Sequence, residues 1–408
     1  MQVWVVHWHI WTLTHDPRAL GAIGLARFFP IVILSLVGGA VADAWDRRRV
    51  MFVTQSVLAL VALVLAAFTF TGHINIFLIY ALMAAGAAAM AFDNPARQSL
   101  IPNLVPREDF PNAAALNSTA VQCAHVIGPL LGGLLIDRNL LAWAYLANSL
   151  SFLAVLVSLA LMRLPPSVPH HQQGDREGER GRISLGALLE GMRFVRQTPI
   201  LVWTMALDFL ATFFSSANSL LPVFATDILG VHGRGYGMLA AAQSVGSLGA
   251  GAIMATRPPI ARQGRTVLAA VGVFGVATVV FGLSRWYWLT WLALALVGAS
   301  DTVSTILRQT IRQLISPDRL RGRMTSINMV FFMGGPQLGE VEAGLVAGWL
   351  GAPASVVIGG AACLLATAWV GARAPALRRY RPSESSLEEE AVILPAPNEE
   401  PPPGLTNG

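Results

Sequence analysis

Apolar runs of about 20 residues or more recur along almost the whole of this 408-residue chain. Each is long enough to cross the ~30 Å hydrocarbon core of a bilayer as a helix. They fall at 20–42, 50–71, 74–95, 112–136, 140–163, 198–226, 235–256, 266–284, 286–307, 324–349 and 351–373. Lipid offers no partner to a free backbone N–H or C=O, so a spanning segment must satisfy its own hydrogen bonds. Eleven such runs therefore predict an all-α polytopic membrane protein. Residues 2–14, "QVWVVHWHIWTLT", read as the last half of one more helix: they are too few to span, and no signal-peptide cleavage pattern follows them. The expectation is that the chain begins inside a helix.

Composition agrees. Hydrophobic residues make up 54% and charged residues 12%, against about 25% charged in an ordinary soluble domain. All 28 basic residues are arginine, and twenty-three of them fall on one set of alternate loops and helix ends. That set includes Arg47–Arg49, the 164–197 linker and the segment from Arg373 onward. Only Arg18, Arg138, Arg234 and Arg285 lie on the opposite loops. Positive residues favour the cytoplasmic side, so the Arg47–Arg49 loop, the linker and the C-terminus are expected there. This distribution explains the pI near 9.8 better than a nucleic-acid partner, which would call for a clustered basic patch. Cys123 and Cys363 lie within apolar runs and form no metal-ligand spacing. No metal or cofactor is implied, and no zinc-type HExxH motif points to an intramembrane enzyme.

A Pro-, Gly- and charge-rich stretch, "PPSVPHHQQGDREGERGR", divides the chain near its middle. The expected division is an N-terminal helical half at 1–163, a cytoplasmic linker at 164–197, a C-terminal helical half at 198–373 and a cytoplasmic tail at 374–408 of disordered composition. The halves repeat. "RQS" at Arg97–Ser99 returns as "RQT" at Arg308–Thr310, Asn117 and Asn328 keep the same offset of 211, and Gly39 and Gly251 lie 212 apart. Parallel repeats of about six helices fit one secondary-transporter architecture in particular.

Three motifs sharpen this. "GGAVADAWDRRR" at 38–49 resembles the loop 2–3 signature of the major facilitator superfamily, with Gly39, Asp43, Arg47, Arg48 and Arg49 in place, but with Ala44 where a basic residue is usual and Asp46 where glycine is usual. "GPLLGG" at 128–133 matches the core of the signature of proton-coupled exporters, through Gly128, Pro129, Gly132 and Gly133. "FDNPARQSLIPNLVP" and "GEVEAGLVAGWLGAPASVVIGG" are similar to the branch that contains enterobactin exporters and macrolide efflux proteins. The resemblance implies the major facilitator fold, two six-helix halves with the first helix truncated, and a cavity partly lined by helices one and seven.

The same resemblance implies a cytoplasmic latch of Gly39, Asp43, Arg47–Arg49, Asp93 and Arg97, with Asp43 set against the positive N-terminal end of helix eleven. A charge at a helix end is worth about 0.3–1 kcal/mol, which suits a contact that opens in every cycle. Arg47–Arg49 are expected to pair with Asp93 or Asp46; for Arg48 and Arg49 a pure topology signal is the competing reading. Ala255 stands 212 residues after Asp43, so the latch is expected on one half only.

Ionisable residues inside spans are costly, and are functional candidates for that reason. Asp208, about ten residues into helix seven, reads either as a proton carrier or as a carboxylate hydrogen-bonded to a neighbouring helix. Arg27 reads as a cavity residue or a structural ion-pair member. Asp301 and Arg308, with Thr305 between them, share one face of helix ten and suggest a cytoplasmic-side gate, although Arg308 also suits an interfacial anchor. Glu340 and Glu342 suggest a coupling or structural role, and His125 a proton relay or a packing residue. Trp286, Tyr287, Trp288 and Trp291 fit an interfacial belt.

Together these readings predict a proton-coupled exporter in a bacterial inner membrane. Working as a monomer, it would exchange protons for a small organic molecule, either a siderophore or a drug-like compound, by alternating access. The competing readings are a proton-coupled importer or lipid transporter of the same fold, and a non-transporting sensor or assembly protein.

Overall fold

The computed structural model describes residues 1–44, 46–100, 104–106, 108–162, 193–258, 260–316 and 321–381, with backbone alone at 35–44, 99, 111, 217 and 321–333. The described residues are all-helical. The N-terminal half holds α1 (Gln2–Thr14), α2 (Pro17–Ala44), α3 (Arg47–Phe70), α4 (Ile76–Leu100), α5 (Phe110–Asp137) and α6 (Leu141–Leu161). The C-terminal half holds α7 (Pro199–Ser215), α8 (Gly233–Thr256), α9 (Gln263–Leu283), α10 (Tyr287–Ile315), α11 (Arg321–Leu350), α12 (Ala352–Arg373) and a short α13 (Pro375–Arg379).

Local chemistry sets the ends. The Asp46 carboxylate accepts from the Arg48 backbone N–H at 2.9 Å and caps the start of α3. Between α11 and α12, Gly351 takes φ +86°, a left-handed turn that glycine makes without strain, and Pro353 then sits in the first turn of α12.

The repeat is visible in the packing. As α2 lies on α4 and α3 on α6, so α8 lies on α10 and α9 on α12. The halves meet along two antiparallel seams, α2 on α11 and α5 on α8. On the first, a Cβ at Gly21 would lie 2.9 Å from both Glu340 O and Gly344 Cα. On the second, a Cβ at Gly133 would strike the backbone of Gly237 at 2.7 Å. These positions must be glycine because main chain meets main chain.

Both seams are tight at the same end of the bundle. There a single apolar core runs through both halves, from Val5, Ile10 and Tyr145 to Phe224, Tyr236 and Val356. At the opposite end, which carries Arg47–Arg49, the cores are separate. One is built from Val50, Met51, Ala96, Leu100 and Leu159 of the N-terminal half, the other from C-terminal residues such as Leu207, Val271, Ile311 and Leu377. Among the described residues, the apolar core is shared by both halves at one end and divided between them at the other.

Several expectations need correction. The run 198–226 is not one helix: α7 stops at Ser215, and the chain continues through a 3-10 turn at Ala217–Leu220 and a π turn at Phe224–Ile228. Carbonyls released at this break face glycines, Phe213 O against Gly339 and Phe214 O against Gly359. The linker expected to reach 197 is helical from Arg193 to Gln197, with Phe194 and Val195 packed on the C-terminal core. The tail expected to be disordered from 374 begins with α13, because Ala374 and Leu377 are fully buried. Residues 163–192 and 382–408 lie outside the described residues. Within the GPLLGG motif, Gly133 packs on α8, whereas Gly132 faces Val5 and Met1 of α1, and Gly128 faces Met1 as well.

Candidate functional site

A cavity of about 280 Å³ opens between the halves. α5 contributes Gln122 and His125, the broken stretch of α7 contributes Thr212, Ser215, Ser216 and Asn218, α8 contributes Gln243 and Ser247, and α10 contributes Asp301 and Thr302. Phe274 and Pro336 supply apolar wall. The polar groups are held in place. Gln243 Nε2 donates to Asn218 Oδ1 at 2.9 Å, and Ser247 Oγ donates to Gly298 O at 3.0 Å. α8 and α10 come this close because Gly246 and Gly298 lie against each other's helix backbones. A cavity of apolar walls with a few fixed polar groups is the usual form of a small-molecule site.

Just beyond the cavity lies a buried ion pair. Asp208 Oδ1 of α7 is 2.8 Å from Arg308 Nη2 of α10, and the two side chains are only 9% and 8% exposed. Arg308 also donates to Thr305 Oγ1 at 3.0 Å. Thr212, one turn past Asp208 and on the cavity wall, donates to Asp208 O at 2.8 Å. Arg312 and Asp301 both lie within electrostatic reach of Asp208. The sequence suggested Arg308 for a cytoplasmic-side gate or an interfacial anchor. Both members of its pair belong to the C-terminal half, and the contact braces α7 against α10. A buried pair of this kind is costly to break, because removing one partner strands the other charge.

A second charged group lies on the α2–α11 seam. Glu340 is buried, and its Oε2 has no hydrogen-bond partner among the described residues. Arg27 of α2 acts electrostatically on both Glu340 and His7. Glu342 is half-buried, away from the cavity lining.

Of the expected latch, Gly39 and Asp43 lie where side chains are outside the described residues. Asp93 is fully buried and accepts from Thr54 Oγ1 at 2.8 Å, Gln55 Nε2 at 2.8 Å and Arg97 Nη2 at 2.7 Å. Arg48 turns instead to the C-terminal end of α6, donating to Leu159 O at 2.8 Å and Ala160 O at 2.9 Å, where a cation is favoured. Arg49 meets exposed Asp46 at 3.8 Å. Sequence reasoning passed over Thr54, Gln55, Gln122, Asn218 and Gln243. Their signal was available, since an amide or hydroxyl in an apolar span needs a partner or a wet cavity.

Two repeated helical halves, closed on one another at one end around a polar cavity, define a transporter of the major facilitator class. Residues 1–395 match the family described as "Transmembrane secretion effector", and the chain belongs to that family. It stands in the enterobactin-exporter-like branch of the major facilitator superfamily. The enterobactin exporter EntS of Citrobacter koseri is 26% identical over 374 residues, covering 90% of this chain and 86% of its own. The protein of the same name from Escherichia coli O1:K1 is 27% identical over 321 residues, covering 77% and 73%. Among solved structures, a bacterial homolog of the human lysosomal transporter Spinster, inward-facing and occupied, superposes with TM-score 0.69 at 14% identity, covering 93% of this chain and 96% of its own. A D-xylose-proton symporter superposes at 0.66 and 13%, covering 90% of each chain. At such identities the structures speak for the fold alone.

Proposed function

We propose that this transporter is a proton-coupled exporter, and that it carries a siderophore or a similar small organic molecule out of a bacterial cell through the inner membrane. The observation that carries the reading is the carboxylate-bearing cavity between two halves whose described apolar core is continuous at one end and divided at the other. Alternating access requires this form, with the closed and parted ends exchanging during the cycle. The end with divided cores carries Arg47–Arg49 and is assigned to the cytoplasm by arginine placement. Substrate then enters from inside, against Gln122, His125, Asn218 and Gln243. Asp301 is the group within the cavity that exchanges a proton, and the Asp208–Arg308 pair senses its charge, Arg308 standing two helical turns along α10 from it. Glu340 and Glu342 with Arg27 hold the opposite seam. Gly39, Asp43, Arg47, Asp93 and Arg97 form the latch that closes the cytoplasmic end. The proposed substrate class follows the names of the relatives.

Inside-out vesicles loaded with a proton gradient, acid inside, test this directly. Adding enterobactin or another siderophore should raise lumenal pH, and Asp301→Asn should abolish the rise. Uptake of substrate without any pH change would dismiss the proton coupling. Release of preloaded substrate down the gradient would reverse the direction.

A further inference from the structure

We infer that the arginine cradle formed by α9 and α13 is a binding site for the phosphate headgroup of an anionic glycerophospholipid. Arg262, Arg265, Arg378, Arg379 and Arg381, with Tyr380, surround a hollow of about 110 Å³. None of these five guanidinium groups has an acidic partner among the described residues. Like charges held this close repel one another, so the arrangement favours an anion between them, and guanidinium forks match phosphate oxygens two at a time.

The cradle is held by packing rather than by chance proximity. The Leu377 side chain is fully buried, and its carbonyl lies against Gly264 at a distance that leaves no room for a Cβ. This docks α13 across the foot of α9. The adjoining first turn of α9 adds free backbone N–H groups: Arg262 at its N-cap makes no side-chain cap, and no acidic residue stands in the turn. The positive helix end and the arginines therefore act on the same hollow.

Position chooses the source of the phosphate. α9 enters its membrane span at Gln263 and α12 leaves its own at Arg373, so the hollow sits where headgroups lie. Basic pockets between spanning helices at this depth are the form that anionic lipid sites take. This assignment holds whichever leaflet is involved and does not depend on the transport reading.

Native mass spectrometry of the full chain in neutral detergent, titrated with phosphatidylglycerol, phosphatidylcholine or inorganic phosphate, is the test. Phosphatidylglycerol should bind in preference to the other two. Each arginine is worth about a fivefold change in affinity, so Arg378→Gln/Arg379→Gln should weaken it by about 25-fold. Arg138→Gln/Arg285→Gln removes equal charge at the opposite end and should leave binding unchanged. Equal loss in both double variants would overturn the site, and inorganic phosphate binding as tightly as the lipid would overturn the lipid assignment. If the cradle variant does not fold, a photoreactive phosphatidylglycerol on the unmodified chain decides. Cross-links within 262–266 or 375–381 support the site, and cross-links confined elsewhere refute it.

Discussion

Arg234 Nε on α8 lies 2.9 Å from Asp137 Oδ2 at the end of α5, and joins the two halves at the closed end of the molecule. Both side chains are partly exposed, at 61% and 27%, so screening limits the pair to about 0.2–1 kcal/mol. A weak tie is what a reversible closure needs. Asp137→Asn should therefore shift the balance of closed and open forms by no more than about fivefold, and should spare the fold. Spin labels at Asn139 and His232, in a background with Cys123 and Cys363 replaced, would read the shift as a longer distance population. An unchanged distance distribution would mean that the glycine seams alone set closure.

Those seams should be far less forgiving. A side chain at Gly133 or Gly237 meets backbone, which cannot move aside as a side chain can. Overpacking of this kind costs about 1–3 kcal/mol. Gly133→Val should hold that end apart and stop transport while the chain still folds and inserts. The same labelled pair would show the wide distance alone, and retention of the short distance with normal transport would contradict the prediction.

The buried pair of Asp208 and Arg308 predicts a non-additive outcome. Asp208→Asn strands Arg308 in a site 8% exposed, and should lower stability by about 3–5 kcal/mol. Asp208→Asn/Arg308→Gln removes both charges and should recover most of that loss in a thermal melt. If the pair senses the charge on Asp301, the double variant should fold yet carry substrate without proton movement. Full coupling in the double variant would reduce the pair to a brace.

Asp93 should behave as a structural anchor of the N-terminal half. Its carboxylate satisfies three donors on α3 and α4 in a fully buried site. Asp93→Asn exchanges an acceptor for a donor facing Arg97, and should cost about 1–3 kcal/mol. Comparing melting of Asp93→Asn with Arg97→Gln checks this: the first should be the more damaging, since Arg97 is half exposed while Asp93 is not.

Cavity residues should alter selectivity before stability. Gln243→Leu removes a donor to Asn218 and makes the wall apolar. The expected result is a severalfold higher KM for a polar substrate with the melting temperature little changed. His125→Gln should likewise change transport and not folding. A collapse of stability in either would place these residues in the packing instead.

How much was legible in the chain differs by feature, and the difference is physical. The spanning character of the chain, the approximate place of most spans and their helical state could be read directly, because a bilayer demands about 20 apolar residues with internally satisfied backbone wherever it is crossed. Asp208, Asp301 and Arg308 stood out for the same reason: a charge in an apolar run is conspicuous. Their pairing was not legible. Asp208 and Arg308 are 100 residues apart, and whether they meet depends on how α7 and α10 are rotated against each other, which no local pattern encodes. The split between Gly132 and Gly133 is of the same kind. Adjacent residues point about 100° apart around a helix, so one glycine serves α1 and the other α8. The break at Ser216 and the docking of Leu377 also waited on tertiary contacts, since each is held by groups distant in the chain. The sequence by itself determined a polytopic helical transporter. Only the folded structure decided which charges meet, which end is closed and where the arginines gather.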